Sequence, residues 1–129
     1  MTYANGDDLE TMTNEVKEAM GDINYLSLST LAITHGDRKV NNKLQEKDVP
    51  TPESPEEGEE YDDRIIGAAT LYAAAFILNT YYSGNDNISP TAKAYTEDAD
   101  NLINGYIEEY LSEAAEEDSV GPGMSILIV

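Results

Sequence analysis

The sequence has no cysteine and no tryptophan, one phenylalanine, one histidine and only seven lysines and arginines. The missing thiols exclude disulfides, thiolate metal sites, iron–sulfur clusters and a cysteine nucleophile. A di-iron helical bundle needs Glu-x-x-His from two helices. Only His35 exists, and three residues after it stands Arg38 rather than an acid. No run of 18 apolar residues suggests a membrane span, and the first residues lack the basic-then-apolar pattern of a signal peptide. The chain is therefore expected to be soluble and not exported by those routes. Walker, GxGxxG and GxSxG motifs are also missing.

What the chain does have is acid. Among 129 residues, 26 are Asp or Glu, and the formal net charge is −19. The length suits one domain, and 40% hydrophobic residues suffice for a core. A charge of −19 repels nucleic-acid backbones and anionic membranes, and seven cations are too few for a phosphate-binding stripe. The same charge strains the folded state by self-repulsion. Screening relieves that strain, because the Debye length falls from ~10 Å at about 0.1 M salt to ~3 Å at about 1 M. Low lysine, no tryptophan, one phenylalanine and carboxylates along the whole chain point to adaptation to molar salt.

Four segments carry helical periodicity. The first is capped by Asp7 or Asp8, has Leu9, Met12, Val16 and Met20 on one face, and ends at Gly21. After a turn at Gly21-Asp22, Ser29 or Thr30 caps a second helix with the stripe Ile33, Gly36, Val40 and Leu44. Gly36 in mid-stripe costs up to ~1 kcal/mol against alanine, so either a neighbouring helix comes close or the helix starts after it.

Residues 48–61 form an acidic surface loop, with three prolines and a glutamate run that forbid regular structure. The third helix spans Asp62 to about Tyr82. It carries no charge between Gly67 and Leu78, so it belongs at the centre of the fold. A turn at residues 83–87 leads to Ser89-Pro90, a capping residue followed by proline at the first helical position. The fourth helix shows the stripe Ala92, Tyr95, Ala99, Leu102, Ile103, Tyr106, Tyr110 and Leu111, and should pair with the third as an antiparallel hairpin.

Gly121-Pro122-Gly123 then introduces an uncharged, β-branched tail of Met124, Ser125, Ile126, Leu127, Ile128 and Val129. A lone apolar strand in a helical chain has no sheet of its own and invites pairing with another chain. The expected architecture is an all-α four-helix bundle over residues 1–118 with an extended arm over 119–129.

Nothing in the sequence forms a catalytic constellation. His35 reads as a surface or helix-end histidine rather than a base or ligand, since no second histidine or positioned serine accompanies it. Glu108, Glu109, Glu113, Glu116 and Glu117 read as a solvated face, because no EF-hand spacing surrounds them. No metal, cofactor or enzymatic activity is expected. Of nine tyrosines, Tyr72, Tyr95 and Tyr106 lie on apolar stripes, whereas Tyr81 and Tyr82 beside a turn are candidate subunit-interface residues.

The order of these elements resembles the head–tail connector, or head-completion adaptor, proteins of tailed viruses. The similarity runs through Tyr3-Ala4, Asp7-Asp8-Leu9, Val16-Lys17 and Met20-Gly21, then Arg38 to Leu44 and Val49-Pro50. It continues through Ile65–Tyr82, with Ala69, Tyr72 and Ala73, and ends with Tyr95, Ala99, Leu102 and Tyr106. It covers roughly residues 3–111 and rests on order, spacing and length; the acidic loop at 53–60 and the extreme charge depart from it.

The resemblance implies a helical adaptor in a homo-oligomeric ring, commonly of twelve subunits, beneath the portal protein at the capsid vertex. A C-terminal arm (here residues 124–129) would dock on the portal, and the ring would present a platform to a neck or tail-completion protein. DNA would pass through a negative lumen without binding. With the salt signature, the expected source is a tailed virus of a halophilic archaeon, assembled in the host cytoplasm. The competing expectation is an acidic DNA mimic or other helical protein-binding module that engages a basic partner through its carboxylates.

Overall fold

The computed structural model describes residues 2–82 and 89–120, with residues 116–120 as backbone only. It is all-α, with five helices and no strand among the described residues: α1 (Gly6–Met12), α2 (Asn14–Met20), α3 (Asp22–Glu46), α4 (Asp63–Tyr81) and α5 (Pro90–Val120). The helices pack on one another as a bundle, with α4 between α3 and α5.

Five helices replace the expected four because the first segment breaks at Thr13. The Thr13 hydroxyl donates to the Leu9 carbonyl at 2.7 Å and meets the Tyr25 hydroxyl at 2.6 Å, fully buried. A threonine bonded back to the i−4 carbonyl bends a helix, and here φ −122° and ψ 24° at Thr13 end α1 and start α2. The cap of α1 is Asn5 rather than Asp7 or Asp8; its side chain accepts from the amides of Asp7 (3.0 Å) and Asp8 (3.1 Å).

The largest correction concerns α3. It begins at Asp22, a full two turns before Ser29 and Thr30, and the connection from α2 is the single residue Gly21 at φ +88°. Its buried stripe is Tyr25, Leu28, Ala32, Gly36, Val40 and Leu44, and Ile33 only flanks it. Gly36 is the point of closest approach to α4. A Cβ there would lie 2.3 Å from the Ala69 carbonyl oxygen and 3.2 Å from the Ala73 nitrogen.

α4 is the enclosed element, as its lack of charge predicts. Ten of its residues from Ile65 to Leu78 are buried, and Asp62 caps its first turn through the Arg64 amide at 2.9 Å. Runs of alanine bring both neighbours close, while Ile65, Tyr72 and Ile77 fill the space between. Each such fully buried large side chain contributes roughly 1.5–3 kcal/mol. α5 runs antiparallel to α4: Arg64 reaches the Gly105 carbonyl, whereas Tyr72 meets Asp100. Pro90 is the first residue of α5, and the Ser89 hydroxyl accepts from the Ala92 amide at 3.2 Å.

The N-terminal segment is fastened across the bundle. Asp37 accepts from the amides of Tyr3 (3.0 Å) and Ala4 (3.2 Å), and the Thr70 hydroxyl accepts from the Asn5 amide at 2.9 Å. Tyr3 also packs edge-on against Tyr61 at the end of the acidic loop, centroids 4.8 Å apart. That loop is irregular as expected but not wholly solvated, because Val49 is buried and anchors its start. α5 continues to Val120, so residues 119 and 120 of the expected arm are helical. The expected turn at 83–87 and residues 121–129 lie outside the described residues.

Candidate functional site

No group of three or more histidine, aspartate or glutamate side chains is placed to hold a metal ion among the described residues. The positions that stand out are surfaces, and they lie on the outer faces of α3 and α5.

α3 is built from an unusual stretch of this chain. Residues 23–36 contain no charged side chain, although one residue in five of the whole sequence is acidic. The inner stripe of α3 takes Tyr25, Leu28 and Ala32 into the core, and this leaves Ile23, Leu26 and Leu31 outside, at 84%, 67% and 63% exposure. Beyond them the same helix carries Arg38, Lys39 and Lys43, three of the seven cations. The only carboxylate between residues 23 and 43 is Asp37, committed to the Tyr3 and Ala4 amides. His35, Arg38, Lys39 and Lys43 line one open cleft, with Glu46 at its end.

Within that cleft the cations are unequally engaged. The Lys39 ammonium lies 4.9 Å from the centre of the Tyr72 ring, and Lys43 approaches Asp100 at 3.8 Å. Arg38 is exposed and has no ion-pair partner among the described residues. His35 packs against Phe76 with ring centres 4.7 Å apart. Partial burial, then the charges of Lys39 and Arg38, hold its pKa below the usual imidazole value, so it is neutral at pH 7. Its side chain is exposed, and among the described residues no carboxylate pairs with it.

α5 presents the opposite character. Glu108, Glu109 and Glu113 are exposed, and Tyr110 and Leu111 join them at 37% and 44% exposure. Glu109 pairs with Arg64, whose guanidinium also engages Asp62 and lies 5.5 Å from the Tyr106 ring centre. The Arg64 bond holds the Asp62 carboxyl below its ordinary value, and the carboxylates push the Arg64 pKa up. The side chains of Glu116 and Glu117 lie outside the description. Ile107 is the last buried residue of α5 among the described side chains, yet the helix continues to Val120. At 1.5 Å per residue that is about 20 Å of helix past the core.

The tyrosines divide much as their pattern predicts. Tyr72 is buried and donates to Asp100; burial first, and that carboxylate next, raise its pKa well above the phenol range. Tyr95 and Tyr106 are half-buried, whereas Tyr110 lies beyond the core. Tyr81 and Tyr82 stack edge-on at 4.8 Å, but only Tyr81 is exposed, and Tyr82 packs against the core. Met124 to Val129 lie outside the described residues. The exposed apolar residues of α3 escaped the sequence reading because they fall off its stripe; the uncharged run 23–36 was the available signal.

No family model, curated protein or solved structure matches this chain. The functional reading rests on the surfaces themselves and on the order of elements.

Proposed function

We propose that this protein is a structural virion component: a head–tail adaptor that forms a ring beneath the portal and links it to the neck or tail. The observation that carries this reading is the placement of Ile23, Leu26, Leu31, Tyr110 and Leu111 on the outside of a chain with charge −19. Exposed apolar side chains grouped on two helices are the mark of surfaces meant to be covered. An all-α bundle with the element order of head–tail connectors is compatible with the same role. The C-terminal segment 124–129 is the proposed portal-docking arm, Tyr81 a subunit contact, and the acidic exterior suits a lumen through which DNA slides unbound. A salt-adapted tailed virus of an archaeon is the proposed source.

The test is the mass of the purified protein in about 3 M and about 0.2 M KCl, where screening differs severalfold. A discrete large oligomer in the stronger salt is expected, and a monomer in both would defeat the proposal. Deleting residues 121–129 should abolish portal binding while leaving the ring intact.

The exposed carboxylates of α5 favour one competing reading, a DNA mimic that occupies a basic protein. It predicts a small species whose partner is displaced by DNA and released as salt rises. Assembly through apolar contacts would instead persist in strong salt.

A further inference from the structure

We infer that the outer face of α3 in one copy receives the C-terminal end of α5 from the next copy, a head-to-tail contact that would close the proposed ring. The inference rests on the ring reading and adds which two surfaces meet.

The two surfaces are complementary in charge. α3 offers Ile23, Leu26 and Leu31 followed by Arg38; between Asp22 at its first position and Glu46 at its last, its one carboxylate, Asp37, is held by the Tyr3 and Ala4 amides. α5 offers Tyr110 and Leu111 between the exposed acids Glu108 and Glu113. Tyr110 continues the stripe of Ile103 and Ile107, but it meets the start of α4 at Asp62 and Arg64 only across an open cleft and stays 37% exposed. The backbone of α5 continues about 20 Å past Ile107, a length that fits within the roughly 28 Å from Ile23 to Asn42.

Within one chain α3 and α5 both pack on α4 and touch each other where Lys43 approaches Asp100, so it is their inner sides that meet and the two outer surfaces do not. Pairing like with like is opposed at α5, where two ends would set glutamates against glutamates. Opposite halves on every copy produce a heterologous contact, which closes into a ring or extends into a filament.

The absence of cysteine gives a clean background for the test. Leu31→Cys and Leu111→Cys, singly and together, are treated with flexible bis-maleimides of two spacer lengths under conditions where the unsubstituted chain is oligomeric. Both residues are exposed, so neither change reaches the core. The double variant should give a ladder of covalent dimers, trimers and larger species on a denaturing gel, and each single variant should stay monomeric there. Dimers from either single variant would overturn the inference, as they report a like-with-like contact. So would an oligomer whose double variant gives no ladder with either spacer, leaving the ring reading standing. A chain monomeric at both salt concentrations removes the ring reading, and this contact with it.

Discussion

α3 and α5 both pack on α4, yet they are different objects. Each presents an inner stripe of small and aliphatic residues to α4. In sequence, α3 carries three acids against three bases, whereas α5 carries nine acids and one lysine. Their glycines differ too. Gly36 is pressed against the α4 backbone, and Gly105 has nothing within 4 Å of the position a Cβ would take. The difference shows how narrowly the enclosed helix constrains its neighbours. It dictates one face of each and leaves the other free to take up solvent or partners.

The glycines give the largest test of that contrast. Gly36→Ala should force α3 away from Ala69, since backbone cannot give way as a flexible side chain can. Overpacking of this kind costs about 1–3 kcal/mol, against a helix-propensity gain of at most ~1 kcal/mol for the alanine. A net loss near 2 kcal/mol is expected in urea unfolding. Gly105→Ala meets open space and should gain up to ~1 kcal/mol. Shifts of the same sign would break the contrast between the two helices.

A smaller effect is expected at the tie between α4 and α5. Tyr72→Phe removes the hydroxyl that donates to Asp100 and should cost about 1 kcal/mol, because the half-exposed carboxylate can turn to water. Thermal unfolding would register this; an unchanged midpoint would mean the bond adds nothing to stability.

The smallest effect concerns His35. Its folded pKa is depressed, so the unfolded chain binds its proton first, near pH 6.5. The associated stability is present above about pH 6.5 and is lost as pH falls through the folded value. Melts between pH 7.5 and about 5 should show this loss in the parent and not in His35→Gln. Lys39→Ala, removing the stronger of the two repelling charges, should raise the imidazole pKa in an NMR titration.

Much of the fold was legible because α4 imposes regularity on its surroundings. The uncharged run from Gly67 to Leu78 identified the central helix, and Ser89-Pro90 marked the start of α5. Gly36 offered two readings, of which the close approach is the one adopted. The start of α3 was not legible. Gly21 supplies no capping side chain, and Ser29 and Thr30, which look like caps, lie in the middle of the helix. Thr13 hid its role for a related reason: its hydroxyl bends the chain only because Tyr25, twelve residues on, is there to engage it. The α3 surface was obscured by the total charge, which averages away a neutral stretch inside an acidic chain.

The position of α4 has a consequence for how copies of this protein sense one another. α3 and α5 both pack on α4 and touch each other where Lys43 approaches Asp100, so their outer faces form one near-neutral side and one strongly negative side of the same subunit. In dilute buffer, with a screening length of ~10 Å at about 0.1 M salt, each subunit is an electric vane that turns in its neighbour's field before contact. In brine the screening length of ~3 Å at about 1 M is thinner than a single helix, and the vane goes slack. Recognition there passes to touch: the fit of apolar side chains and the charges directly facing them.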